Sequence, residues 1–477
     1  MSSLYKRLGE VCWRCRDALP FTPSRRCKSA AVPFVQPEFL RASPHRKHPG
    51  VTNLKTLRLP EELQSGALSV IYKTEVKDLS ERALKLTNFL WSRKRAVESH
   101  ELRERAIILE KKWKEEVGEE DERLSDENHV SFESRIRMKV LSELKKTSYH
   151  WTPLKYDTDL GVVYMAARLA GGYAAVMRAL NEIKRRDSSF TPHSLLDFGS
   201  GLGTAIWAAH THWGDSLREY VCVDASAAMN SLAERLLTGG TEGDKPLIKH
   251  VYFRQFLPVS PKVQSDLVLA AFSLSELSTQ EAREETLLTL WRKTHSYLVL
   301  VENGTKEGHQ ILMEAKDVLL KREEKVSHDV RRPVVFAPCT HQQPCPKLLK
   351  QQVTPCNFLQ PYYPLPVSGN REAVQEKFSF LVVSRLELQD SEAVQWSRLI
   401  SQVHRRPRHV QCQICCSDGE LKQLAITAKH HGRDTYRCAR SSEWGDRLPV
   451  IITEKLTHTS KPEKLTHANK PETHTHQ

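Results

Sequence analysis

The sequence predicts an α/β protein: a mostly parallel, doubly wound sheet, preceded by a helical region and followed by a cysteine-rich insertion and a basic C-terminal extension. Three observations carry this. Between residues 194 and 301, short apolar runs rich in Leu and Val alternate with segments long enough for helices. The first run opens into a glycine-rich turn. Seven of the eleven cysteines lie in the last third of the 477 residues, three of them beside prolines in one short segment.

In chain order, residues 1–36 carry Lys6, Arg7, Arg14, Arg16, Arg25, Arg26 and Lys28 against Glu10 and Asp17, with Leu4, Leu8, Val11 and Cys12 at helical spacing. An Arg-rich, acid-poor, amphipathic start reads as a mitochondrial transit peptide, with a disordered basic tail as the alternative. Residues 37–145 read as a linker, proline- and lysine-rich through residue 60, then a helical region. Its apolar residues Leu79, Leu86, Leu90, Ile107, Leu109 and Trp113 recur at helical intervals, and the acidic run over 115–127 reads as a solvated turn. A helix is expected over 156–186, and strands over 194–198, 220–223, 267–272, 297–301 and 378–383. The domain layout is therefore a sheet domain over 146–332, a cysteine-rich insertion over 333–360, and last strands plus a basic extension over 361–450. The polar near-repeat over 451–477 cannot build a core and is expected to be disordered.

The formal charge of +13 favours a polyanionic partner, nucleic acid above all. Mean hydropathy is −0.49, and no apolar run approaches the roughly 20 residues that cross a bilayer. No membrane insertion is expected.

Leu195-Leu-Asp197-Phe-Gly199-Ser200-Gly201-Leu-Gly203 is a strand running into a turn whose alternate glycines let the backbone approach a ligand closely. About twenty residues on, Val221-Cys-Val-Asp224 ends a second strand in a carboxylate able to accept from both hydroxyls of a ribose. This D-x-G-x-G-x-G spacing resembles motif I of class I S-adenosylmethionine-dependent methyltransferases. The resemblance implies a Rossmann-like fold and cofactor binding by Asp197, Gly199, Ser200, Gly201, Gly203 and Asp224. After the fourth strand stand Ala270, Ala271 and Phe272, where an amino-methylating enzyme carries Asn/Asp-Pro-Pro-aromatic and a carbon-5 enzyme needs a cysteine. The chain is thus expected to bind S-adenosylmethionine without catalysing methyl transfer.

Cys339, Cys345 and Cys356, then Cys412, Cys415 and Cys416, fit zinc poorly, because zinc sites favour two compact C-x₂₋₄-C pairs. Loops with Pro-Cys steps suit an iron–sulfur cluster better. Unligated buried thiols remain the plain alternative.

Ala337-Pro-Cys339, Pro344-Cys-Pro346, Cys356-Asn-Phe358, Arg408-His-Val410, Cys415-Cys-Ser-Asp-Gly419, Trp444-Gly-Asp446 and Val301-Glu-Asn-Gly304, together with the glycine loop, resemble the methyltransferase-like protein 17 family over about residues 60 to 450. The resemblance implies a mitochondrial small-ribosomal-subunit assembly factor of the matrix, required for mitochondrial translation. It also implies a [4Fe–4S] cluster on Cys339, Cys345, Cys356 and Cys415, with Cys412 and Cys416 as competitors for the fourth place. Nearby arginines, Arg405, Arg406, Arg408, Arg433 and Arg437, are expected to meet rRNA, presented by a hairpin over 410–427. The competing expectation is an active rRNA methyltransferase. A radical iron–sulfur enzyme is disfavoured because no C-x₃-C-x₂-C loop occurs.

Overall fold

A computed structural model describes residues 44–117, 126–149, 151–240, 245–258, 260, 263–321, 331–349, 354–368, 372–385 and 396–449. The segments read as a transit peptide and as a polar tail, and most of the acidic run, lie outside these.

Five strands form the parallel core of the larger sheet: β1 (Ser194–Phe198), β2 (Glu219–Val223), β3 (Val251–Arg254), β4 (Ser265–Ala271) and β5 (Thr294–Asn303). After these come β6 (Val334–Ala337), β7 (Phe358–Tyr362) and β8 (Val374–Ser384). The order is β3-β2-β1-β4-β5-β8-β6, with β8 antiparallel to β5 and β6. One reversed strand beside an otherwise parallel sheet is the arrangement of the class I methyltransferase fold. The chain order reverses between β1 and β4, where such sheets bind ligands at their carboxyl ends.

Each central strand is buried on both faces, so its alternate residues enter two cores. Leu195, Leu267, Leu269, Val299 and Val301 pack on one side against α5 (Thr158–Arg186), α6 (Thr204–Trp213) and α7 (Ala227–Leu237). Leu196, Val268, Ala270, Leu298 and Leu300 pack on the other side against α8 (Gln280–Arg292) and α9 (Lys306–Lys321). Asp157 caps α5 by accepting from the Leu160 N–H at 2.8 Å, which fixes where this helix begins. Among the described residues four helices precede it: α1 (Glu61–Thr74), α2 (Leu79–Ser92), α3 (Ser99–Val117) and α4 (Asp126–Thr147).

The expectation that no apolar run reaches membrane-spanning length needs correction at α5. An 18-residue window of it has a mean hydropathy of 1.4, yet 78% of that window is buried inside the protein. Small residues let this helix sit against β8: a Cβ on Gly171 would lie 2.3 Å from Glu376 Oε2. Glu376 in turn pairs with Arg168 at 3.0 Å.

A second sheet follows, built from β9 (Ser397–Leu399), β10 (His404–Arg405), β11 (Val410–Cys415), β12 (Leu421–Ile426) and β13 (Arg447–Leu448). Its order is β10-β11-β9-β13, with β12 on β11, and α10 (Ala428–His431) and α11 (Arg433–Ser441) complete it.

Three sequence expectations change. The stretch to residue 60 is not a loose linker from residue 44 onward. It makes a short 3₁₀ turn, His45–Lys47, and a strap in which Thr52 is fully buried. Secondly, the cysteine-rich insertion is narrower than 333–360, because its ends are strands. β6 pairs with Val382–Ser384 and β7 with Val374–Phe378, both along the same edge of β8. The cysteines therefore sit on an excursion from one interrupted edge strand. Finally, the expected strands omit β3, β6 and β7 of the large sheet, each an edge strand of five residues or fewer, and β9, β10 and β13 of the small sheet, each of three residues or fewer.

Candidate functional site

At the carboxyl end of β1, Gly199, Gly201 and Gly203 have φ of +67°, +51° and +72°, a region that side chains with a Cβ rarely adopt. The Gly201 N–H donates to Asp224 Oδ2 at 2.8 Å, and the Ser226 N–H to Oδ1 at 2.8 Å. Each carboxylate oxygen keeps a second lone pair for a ligand hydroxyl. Asp197 is buried with Oδ2 unpartnered, as are the hydroxyls of Ser200 and Ser273 beside the same loop. Burial, with Asp224 nearby, pushes the Asp197 carboxyl up to about 8. A buried acid with an orphaned oxygen fits a cationic ligand, and a glycine loop with a carboxylate at the next strand fits a nucleoside. The residues present therefore suit S-adenosylmethionine.

Just beyond β4 stands Phe272. Phe272 adopts φ +58°, an outlier for an aromatic residue, held by its N–H donating to Val301 O at 2.7 Å. Its ring lies under the Arg168 guanidinium, 5.1 Å away. This ring lines a pocket together with Tyr156, Glu276 and Glu302. Glu302 is buried, its Oε2 unpartnered, and burial pushes it up to about 7. Arg93 closes on Glu276 at 2.6 Å from the α2–α3 connection.

The sheet edge gathers the second site. Cys339, Cys345 and Cys356 on the excursion, and Cys415 at the end of β11, line one cavity with His341, Lys347 and Arg398. Strand alternation selects Cys415 from its neighbours. Val410, Cys412 and Ile414 face the core of the small sheet, where Cys416 and Cys438 also pack, whereas Cys415 belongs to the other face. All described cysteines are free thiols. Burial raises Cys345 and Cys415, with neighbouring thiols adding to it, and takes Cys356 up to about 12. Thiols so raised stay protonated until a metal displaces the proton. His341 Nε2 lies 3.4 Å from Cys415 Sγ, and His309 Nε2 lies 3.7 Å from Cys345 Sγ.

Among the described residues, no three His, Cys, Asp or Glu side chains stand close enough to share one metal ion. A [4Fe–4S] cube distributes its four thiolates over four corners, so it needs ligands around a cavity rather than at a point. The donor set of four sulfurs, with Lys347 and Arg398 beside them to offset a cluster's negative charge, fits such a group.

Arg398 joins this cavity to the interior. It donates from Nε to Pro338 O at 2.9 Å, and grips Glu182 of α5 with Nη1 at 2.7 Å and Nη2 at 3.1 Å. Arg178 reaches the same carboxylate at 2.9 Å. Burial would raise Glu182, but Arg398 and Arg178 hold it well below the usual carboxylate range. Gly445 O accepts from Arg398 at 2.7 Å, while Asp446 Oδ1 accepts from the N–H groups of Thr52 and Asn53 at 2.8 and 3.1 Å. The Trp444-Gly-Asp446 motif is thus the junction of strap, core helix and small sheet. Sequence reasoning missed Glu182, Arg178 and Arg398: Arg178 and Glu182 read as an ordinary polar helix face, and Arg398, 216 residues beyond Glu182, as an isolated arginine.

The arginines Arg405, Arg406, Arg408, Arg433 and Arg437 are all exposed. They are not carried by the β11–β12 hairpin, as expected, but by the tighter β10–β11 turn and by α11. Arg405 pairs with Val410 in that turn, and the Arg406 N–H donates to His409 O at 2.9 Å.

A profile of the family described as mitochondrial small ribosomal subunit Rsm22 matches residues 159–449. A human protein named Ribosome assembly protein METTL17, mitochondrial, is 49% identical over 449 residues, 93% of this chain and 94% of that protein. A Schizosaccharomyces pombe protein named Rsm22-cox11 tandem protein 2, mitochondrial, is 23% identical over 325 residues, 61% of this chain and 43% of its own. Among solved structures, a putative RNA methyltransferase from Pyrococcus horikoshii aligns with a TM-score of 0.27 and 11% identity, over 44% of this chain and 83% of that one.

Proposed function

The chain belongs to the mitochondrial small ribosomal subunit Rsm22 family, and on that premise we propose that it is an assembly factor of the mitochondrial small subunit, working in the matrix. In this reading it binds rRNA through its basic C-terminal face and binds S-adenosylmethionine without transferring the methyl group. The observation that carries the proposal is the meeting of Cys339, Cys345, Cys356 and Cys415 around one cavity. Those four residues would hold a [4Fe–4S] cluster, which supplies a structural tie between the sheet edge and the small sheet. Arg398 and the His341 loop then fix the orientation of the small sheet, and with it the arginine face. Loss of catalysis is supported by Phe272, which stands where an amide, proline or thiol would act.

Crosslinking in mitochondria, followed by sequencing of the captured RNA, is expected to return small-subunit rRNA; capture of protein alone contradicts the reading. Gly201→Val, which forces a β-branched residue into φ +51°, should abolish S-adenosylmethionine binding yet leave every rRNA methyl mark in place. Disappearance of one mark favours an active methyltransferase, for which Glu302 is the available base.

Asp197 gives this pocket a pH signature. Its raised value means that fold stability is lost as pH climbs from the ordinary aspartate range toward about 8. A cationic ligand favours the ionised carboxyl and reverses that penalty. Affinity for S-adenosylmethionine should therefore rise with pH up to about 8, with proton release near neutrality. Calorimetry in two buffers of different ionisation heat measures the released proton. Identical heats in the two buffers, or unchanged release in Asp197→Asn, would contradict the assignment.

A further inference from the structure

Resting on the RNA-binding reading above, we infer that the N-terminal turn at His45–Lys47 and helix α11 together form a receptor for RNA phosphodiester groups, with Arg46, Arg405, Arg437 and Arg440 as the phosphate-binding side chains. These four line one open concavity with Pro44, His45 and Ser441.

The N-terminal wall of this concavity is held in place along its length. His48 Nε2 and Ser442 Oγ lie 2.9 Å apart in the interior, and the Arg447 N–H donates to Gly50 O at 2.8 Å. No side chain fits at Gly50, where a Cβ would stand 1.9 Å from Arg447 O. Arg178 and Asn181 of α5 then bind the Thr52 hydroxyl and carbonyl, each at 2.7 Å. Farther on, the Leu57 N–H donates to Pro361 O at 3.0 Å. These contacts hold the segment that carries Arg46 beside α11.

The opposite wall is equally set. Arg405 donates to Arg440 O and Ser442 O at 2.8 and 2.9 Å, and Arg440 donates to Arg406 O at 2.9 Å. Each guanidinium has five N–H groups, so both are oriented by main-chain carbonyls and retain donors for a ligand. Arg46 and Arg437 make no ion pair among the described residues. Asp434 on α11 is engaged by His45 at 2.9 Å. Guanidinium forks matched to phosphate oxygens, on a face that also carries Lys47, Arg406, Arg408 and Arg433, suit a polyphosphate backbone. Such contacts fix register and carry no sequence preference of their own.

The full chain, titrated with a defined RNA hairpin between about 50 and about 200 mM salt, tests this. Arg46→Ala and Arg437→Ala should each weaken binding several-fold and flatten the slope of log K against log salt by about one, to the same extent for hairpins of different sequence. Arg46→Lys should keep the slope. Arg103→Ala, an exposed arginine on α3, should change neither quantity. If Arg437→Ala loses affinity and Arg46→Ala does not, the shared receptor is wrong while RNA binding by the C-terminal face stands. If the unaltered chain binds no RNA, the reading beneath it fails and takes the receptor with it. Unchanged melting of the Arg46 variants keeps misfolding out of the result, since that side chain is exposed.

Discussion

Cys415→Ser is expected to strip iron from the protein and to release the small sheet from the edge of the large one. Cys415 is the only one of the four cavity thiols contributed by the second sheet, so its loss removes the thiol tie between the two sheets. At that edge there remain the Thr340 hydroxyl donating to Cys415 O at 3.4 Å and Arg398 donating to Pro338 O, while Arg398–Glu182 and Asp446–Thr52 still tie the small sheet to α5 and the strap. Limited proteolysis within residues 396–449 should accelerate, and RNA affinity should fall by about tenfold or more, which is about 1.4 kcal/mol. Cys412→Ser is the matched control. Its thiol faces the apolar core of the small sheet, so the hydroxyl costs stability through burial of a polar group, with iron content unchanged. Equal iron in the two variants would show that strand alternation has been misread, and that another cysteine is the fourth ligand.

Glu182→Gln is expected to destabilise the whole chain by about 3–5 kcal/mol. The carboxylate is fully buried and receives three N–H groups from Arg398 and Arg178 within 3.1 Å. Removing its charge leaves two buried guanidiniums without a counter-ion, the costly way to break an interior pair. The loss should appear in chemical denaturation as a lower midpoint. Combining Glu182→Leu with Arg398→Met should cost less than the sum of the single changes, because the pair is then removed together. A loss below about 1 kcal/mol would mean that water reaches the network and that the junction is not set by this pair.

How far the fold can be read from sequence depends on the range of the interactions behind it. β1, β2, β4, β5 and β8 are legible because each is an apolar run closed by turn residues, and the glycine loop is legible because its backbone demands are local. The β11–β12 hairpin follows from Ser417-Asp-Gly419, where Gly419 has φ +81°. By contrast, nothing local marks the strap at 44–57. It carries no periodicity, and its partners Arg178 and Asp446 are more than a hundred residues away. The composition read as a linker is what a segment looks like when main-chain groups and polar side chains, rather than apolar ones, make the contacts. The same holds for Glu182, whose meaning depends on Arg398, 216 residues later. For the thiols, spacing pointed away from paired zinc ligands, and the family resemblance supplied the set. Only the three-dimensional path brings Cys415 onto the excursion, while period-two alternation turns Cys412 away.

The central claim is that four thiols hold a cluster which joins the two sheets. Oxygen-free purification followed by quantification of iron and acid-labile sulfide tests it most directly. The account predicts about four irons and about four sulfides per chain, lost together when Cys339 or Cys415 is replaced. Stoichiometric zinc, or a protein with neither iron nor sulfide that still binds RNA through its arginine face, would contradict it.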